Sequence, residues 1–302
     1  MRLSLGSFLP SMSRGWKNMR AVCGLPTCHN KMLMRSVPQS RIGITIGDSW
    51  YCGVDCFIVS ARTRISALSR RRVMEMPRDP RLSIGLIMLS KNYLTDDQLR
   101  FAIVESERNG EKLEGTLIRL GIANEKQIAA ARAAQWGYPF CGSDRVTEPI
   151  EAEIPTTLMQ TYAAVPLHYA AAAKRLVLGF VYRVDHSFLQ SLEQITGCRA
   201  EPCFITPSQF GEQMDHLAVT SGCEEAVVED PGTPTQMART LGGYASEIAA
   251  REASFAYCRN YIWARLAGKS RRIDLLFQLK NAADVRYVKN SVILDECVGS
   301  LG

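Results

Sequence analysis

The sequence predicts a mixed α+β or α/β protein with three parts. These are a small helical bundle from a duplicated helix-turn-helix unit, a compact α/β subdomain, and a C-terminal helix plus β-hairpin unit. Three observations carry this prediction. The stretch 81–135 is one pattern written twice, with Gln98 falling on Gln127, Leu99 on Ile128 and Ala102 on Ala131, a constant offset of 29 residues. Beyond Pro149, strand-like and helix-like segments alternate, as in a compact α/β unit. Pro231-Gly232-Thr233-Pro234 then separates that unit from a further helix and two strand-like runs.

The predicted boundaries are 1–75 for a basic, poorly ordered extension, 76–142 for the bundle, 143–218 for the α/β subdomain, 219–234 for a linker and 235–302 for the C-terminal unit with its tail. The 302 residues are 46% apolar, ordinary for a soluble protein. No run approaches the roughly 18–20 apolar residues that a membrane-spanning helix needs. With no apolar stretch of a signal peptide near the start, the ten cysteines read as reduced thiols of a cytoplasmic protein.

Charge is unevenly placed. Residues 1–73 carry 12 Lys/Arg against Asp48 and Asp55, whereas the rest has 24 basic and 28 acidic residues. A nucleic-acid role would therefore rest on the N-terminal arm alone, and is not expected of the mildly acidic body. Within that arm the strand-like pieces are 41–46, where Ile42, Ile44 and Ile46 alternate, and the apolar cluster 54–61. The remainder reads as a poorly ordered extension, or as translated sequence ahead of a start near Met74 or Met76. Cys23-x4-Cys28-His29 and Cys52-x3-Cys56 contain residue types that suit zinc. Their spacings fit no common finger, so unligated thiols and no metal are expected.

In the repeat, each unit reads as a short helix, a tight turn at Asn92 or Gly121, and a longer helix. Thr95 with Gln98, and Asn124 with Gln127, are capping boxes. The first long helix is expected to turn Leu99, Ala102 and Ile103 inward and to end at Asn109-Gly110. The second turns Ile128, Ala131 and 134–135 inward and ends at Gly137. Isolated copies cannot bury their apolar faces, so the two pack on each other.

In the α/β part, 157–162 reads as a helix, 164–169 and 174–181 as strands, 186–196 as a helix stopped by Gly197, and 198–205 as a third strand. Thr206-Pro207 opens a last helix to about Leu217, with proline at its favoured first position. Residues 220–236 read as linker and 237–252 as helix. Residues 254–266 and 272–279 read as strands flanking the turn Ala267-Gly268-Lys269-Ser270, and 285–294 as a last alternating segment.

Residues 81–217 resemble the N-terminal domain of type II secretion and type IV pilus assembly ATPases, the GspE/PilB N-terminal or MshEN-like type. The second copy keeps Lys112-Leu113, Leu117, Gly121, Gln127-Ile128, Ala131 and Gln135, followed by Trp136-Gly137-Tyr138-Pro139-Phe140. Ile154-Pro155, Val165-Pro166-Leu167, Leu176-Val177-Leu178 and Thr196-Gly197 carry the likeness onward. The segment 235–279 resembles the small domain that follows in those ATPases. The resemblance implies a bacterial, cytoplasmic protein-interaction module, peripheral to the inner membrane through a secretion or pilus partner.

It also implies an alternative. Some members of that family bind cyclic di-GMP through the two repeats, and the matching positions here are Gly85, Lys112, Leu113, Leu117, Gly121 and Gln135. The chain departs from that pattern: copy one has Ser83 for arginine, Asn92 for glycine and Ser106 for the closing glutamine. Copy two has Lys112 for arginine and Glu114 for glycine. Lysine cannot form arginine's bidentate fork, so the repeat is expected to build the bundle core without a cofactor.

Nothing in the sequence supports catalysis. A P-loop needs a glycine five residues before its Gly-Lys pair, so that backbone N–H groups wrap the phosphates. Before Gly268-Lys269-Ser270 that position is Trp263, which excludes ATP hydrolysis there. His29, His168, His186 and His216 are isolated, and no Gly-x-Ser-x-Gly elbow occurs.

Overall fold

The computed structural model describes residues 20–28, 31–33, 43–70, 82–142, 154–220 and 224–279. They fall into two compact units. The first draws on the described residues within 20–70, 226–255 and 262–278, and the second on those within 82–225, 256–261 and 279. Among the described residues no helix is long and apolar enough to cross a membrane. The expected strand 285–294 and His29 lie outside the described residues.

In the first unit, strands β1 (Arg20–Val22) and β2 (Lys31–Leu33) form an antiparallel ribbon. Strands β3 (Ile44–Ile46) and β4 (Ser49–Tyr51) form an antiparallel hairpin about Gly47, whose φ of 57° suits glycine. Helix α1 (Val54–Ser69) follows. The segment expected to be a poorly ordered extension therefore contributes four strands and a helix. The strand expected over 54–61 is the start of α1. Buried Phe57, Ala61, Ile65 and Leu68 recur at helical spacing, a period that only emerges when the window extends past Ala61.

Helix α9 (Pro234–Glu247) begins with a capping box between Thr233 and Gln236 and packs on α1. Gly242 permits the approach: a Cβ there would lie 2.5 Å from Ile58 Cδ1. The six-stranded sheet runs β4-β3-β9-β10-β11-β8, with β8 (Glu224–Val228), β9 (Glu252–Cys258), β10 (Tyr261–Ala267) and β11 (Arg272–Gln278). The run 254–266 is thus two strands, broken at Arg259, whose φ is 29°. The expected linker contains β8, an edge strand, on which Glu224 is exposed to water and Glu225 is half-buried. Strand β3 pairs in parallel with β9, Thr45 opposite Glu252.

Within the sheet, Asp274 is fully buried and accepts from Trp263 Nε1 at 2.7 Å and from Arg265 Nε and Nη2 at 2.8 and 2.9 Å. Gly268-Lys269-Ser270 forms the turn between β10 and β11, and Gly268 N donates to Arg271 O at 2.8 Å. Strand-to-strand geometry of this kind offers no helix N-terminus to a triphosphate.

The second unit holds the repeat as α2 (Ile84–Ser90), α3 (Asp96–Asn109), α4 (Leu113–Arg119) and α5 (Glu125–Trp136). Both capping boxes form, through Thr95 with Gln98 and Asn124 with Gln127. The turns share a backbone conformation: Asn92 has φ 55° and Gly121 φ 66°, both left-handed. One core of Ile84, Ile87, Met88, Leu94, Leu99, Ala102, Leu117, Ala123, Ile128 and Ala131 draws on both copies. Ile103 is not part of it. The face of α3 that is buried is Leu99, Ala102 and Ser106, leaving Ile103 38% exposed. Ala134 is likewise exposed on α5.

After α6 (Thr156–Tyr162), the α/β part forms a three-stranded sheet, β5 (Ala164–Ala170), β6 (Arg175–Phe180) and β7 (Arg199–Phe204). Strands β5 and β6 are antiparallel; β6 and β7 are parallel, with α7 (His186–Thr196) crossing between them and ending at Gly197. Helix α8 (Pro207–Thr220) closes the unit. The chain leaving α5 ties the bundle to this sheet, with Phe204 N donating to Pro139 O and Cys141 N to Phe204 O, both at 2.8 Å.

Candidate functional site

The six positions singled out in the repeat divide by role. Leu117 is fully buried, and Leu113 packs against the same core. Gly85 is a packing glycine: a Cβ would lie 2.8 Å from Leu99 Cδ1 and 3.4 Å from Leu113 Cδ2. Gly121 is exposed in the α4–α5 turn and is needed for its left-handed φ. Lys112 is exposed at the N-cap of α4 and makes no capping bond. Its counterpart Ser83 does cap α2, accepting from Leu86 N at 3.3 Å.

Gln135 reaches back across the duplication. Its Nε2 donates to Leu82 O at 2.6 Å, fixing the entry of α2 from the end of α5. Ser106, which occupies the same position in copy one, turns its hydroxyl onto Ile103 O at 2.8 Å instead. The glutamine thus already holds the fold together through the amide that a ligand would need.

A further residue at this site was not singled out. Arg132 is only 9% exposed and donates through Nη1 to Val181 O at 2.6 Å. Its Nη2 lies 3.3 Å from Glu114 Oε1, and its guanidinium sits 5.6 Å from the Tyr182 ring centroid. Glu114 stands where the family pattern has glycine, so in this chain that departure is matched by a buried cation. A signal was available at the offset of 29: Gly85 becomes Glu114, and Ile103 becomes Arg132. A carboxylate and a guanidinium replace two apolar positions together.

Nearby, Glu111 accepts from Thr116 Oγ1 at 3.0 Å and from Arg119 Nε at 3.1 Å. Glu125 Oε2 accepts from Ser208 Oγ at 2.7 Å, joining the starts of α5 and α8. The polar groups of copy two are largely engaged within the unit. The apolar groups on the outside of copy one are not buried: Phe101 is 55% and Val104 61% exposed, three residues apart on one face of α3.

No protein-family model matches this chain. Among curated proteins, the type IV pilus assembly ATPase PilB of Thermus thermophilus is 27% identical over 129 residues. That match covers 42% of this chain and 14% of PilB, so the chain spans a small part of its relative's length. Among solved structures, MshE with cdg aligns at TM-score 0.38 and 20% identity, covering 45% of this chain and 99% of that one. The N-terminal domain of XpsE aligns at TM-score 0.32 and 20% identity, covering 44% and 91%. Part of this chain is thus similar to part of a type IV pilus assembly ATPase.

Proposed function

We propose that the protein is a non-enzymatic interaction module of type II secretion or type IV pilus machinery, docking a component of that machinery through the outer face of α3. The observation that carries this reading is the exposure of Phe101 and Val104 beside a repeat whose polar groups are spent on internal contacts. Large apolar side chains grouped on one face are what a protein partner covers. The similarity to PilB supports secretion or pilus machinery as the source of that partner. Its place in the cell would then be cytoplasmic, at the inner membrane only through the partner.

Affinity capture from the native host, read by mass spectrometry, tests this. Wild-type protein recovers secretion or pilus components, and a Phe101→Asp, Val104→Asp variant with unchanged circular dichroism does not. Recovery of none by the wild type, or equal recovery by both, overturns the reading. Cyclic di-GMP binding is the competing function. The engagement of Gln135 with Leu82 O and of Arg132 with Val181 O supports a scaffold in preference to a ligand site. Calorimetry at high micromolar cyclic di-GMP therefore gives no heat; a saturable isotherm abolished by Gln135→Ala would establish the sensor instead.

A further inference from the structure

Cys23, Cys28, Cys52 and Cys56 are expected from sequence to be independent thiols, and the structure brings them together. Their four sulfurs all lie within 4.8 Å of one another. Cys28 Sγ is 3.6 Å from Cys52 Sγ, and Cys52 Sγ is 3.7 Å from Cys56 Sγ. Those separations are far beyond a disulfide's S–S length of about 2.05 Å. They match a tetrahedral ion: with Zn–S of about 2.3 Å, tetrahedral geometry sets neighbouring sulfurs about 3.8 Å apart.

The local fold explains the cluster. Cys23 directly follows β1 and Cys28 lies on the loop to β2, where its N donates to Leu25 O at 2.9 Å. Cys52 directly follows β4, and Cys56 lies in the first turn of α1. Gly24 N donates to Trp50 O at 2.7 Å, which joins the first loop to the second. A Cβ at Gly24 would lie 3.2 Å from Ser49 Cβ, so the residue beside Cys23 is kept small where the loops meet. The N-cap of α1, Gly53, makes no side-chain cap bond, leaving the positive end of the helix to face thiolates.

The energetics point the same way. Strands β1 and β2 have three residues each and form a two-stranded ribbon, which is marginal on its own. Segments this small are commonly stapled by a structural metal. Four thiolates, with no further donor in the cluster among the described residues, make a closed site, which holds an ion without leaving a position open for substrate. We propose that Cys23, Cys28, Cys52 and Cys56 bind one zinc ion in a structural all-thiolate site that joins the β1–β2 ribbon to the start of α1.

The test uses the full chain purified under reducing conditions. Metal analysis of the wild type gives about one zinc per chain, as a closed site requires. Exchange with Co2+ yields the thiolate-to-cobalt charge-transfer and d–d absorption of a tetrahedral sulfur site. The double variant Cys52→Ser, Cys56→Ser loses both signals, whereas Cys198→Ser and His29→Ala keep them. Because the decisive readings come from the wild type, a variant that fails to fold does not shield the proposal. Folded wild-type protein with neither zinc nor the cobalt spectrum overturns it, as does iron in place of zinc or retention of zinc by the double cysteine variant.

Discussion

Replacing Arg132 by alanine tests which contact at the repeat is worth most. The guanidinium makes a charge-assisted hydrogen bond to the carbonyl of Val181, a residue only 1% exposed, and a longer contact to Glu114, whose side chain is 29% exposed. The first bond is worth about 1.5–3 kcal/mol, because losing it strands a buried acceptor. The second lies in the range of partly solvated pairs, about 0–1 kcal/mol, since Glu114 can turn to water. Arg132→Ala should therefore cost about 2–4 kcal/mol, with loss of stem packing on Tyr182 included. Glu114→Gln should cost under about 1 kcal/mol. In urea, with m of about 2 kcal/mol per molar, the first variant moves the midpoint of the second unit's transition by about 1–2 M and the other by half a molar or less. Arg132→Lys should fall between them, since an ammonium can reach one acceptor but cannot stack as a plane. A Glu114→Gln loss equal to that of Arg132→Ala would refute the reasoning, because the ion pair would then be the main contact.

The two turns of the repeat make opposite predictions. Gly121→Ala places a side chain at φ 66° and should cost about 1–2 kcal/mol, whereas Asn92→Gly, at φ 55°, should cost nothing; urea midpoints decide it. In the first unit, Asp274→Ala leaves the Arg265 charge and the Trp263 N–H without their acceptor and should cost about 3–5 kcal/mol. Much of that loss should return in the double variant Asp274→Leu, Arg265→Met, measured by the same denaturation. A hydrogen bond from Cys203 lowers the thiol of Cys141 to about 7, and the same bond, with burial, pushes Cys203 up. Cys141 is therefore a thiolate at pH values where an ordinary cysteine, at about 8.5, is still protonated. Peptide-resolved alkylation by iodoacetamide should reach half its plateau rate near pH 7 and shift to higher pH in Cys203→Ala.

What could be read from the sequence was what is local. Helices α2 to α5 come from a repeat whose caps, turns and apolar spacing agree, and α6 through α8 come from segments with clear boundaries, such as the stop at Gly197 and the start at Pro207. The first unit was hidden for the opposite reason. Its strands β1, β2 and β4 are too short to show a period, whereas β3 lies in the alternating run 41–46 and finds its partner in β9, with Thr45 opposite Glu252 across most of the chain. The cysteine cluster likewise depends on contacts distant in sequence: each pair is unexceptional alone, and the meeting of Gly24 with Trp50 and Ser49 brings them together. Ile103 was misplaced because α3 buries its i, i+3, i+7 row through Ser106, a polar residue that a hydrophobic template skips.

The divergence of the two copies bears directly on what the repeat can do. At one pair of equivalent positions, copy one has Gly85 and Ile103 while copy two has Glu114 and Arg132. Gly85 lets α2 close onto Leu99 and Leu113, and no side chain larger than hydrogen fits there without displacing Leu99. In copy two the space opened by replacing glycine is occupied by a carboxylate that meets the guanidinium from α5, and that guanidinium continues to Val181 in the α/β part. Copy one thus spends its position on contact between the copies, and copy two spends its own on attachment to the sheet. The two halves now differ in polarity and in the internal contacts they make. Their common feature is structural, a helix-turn-helix whose copies share one core, and what copy one leaves outward is the apolar pair Phe101 and Val104. That outward apolar pair is the surface on which the proposed docking of a protein partner rests.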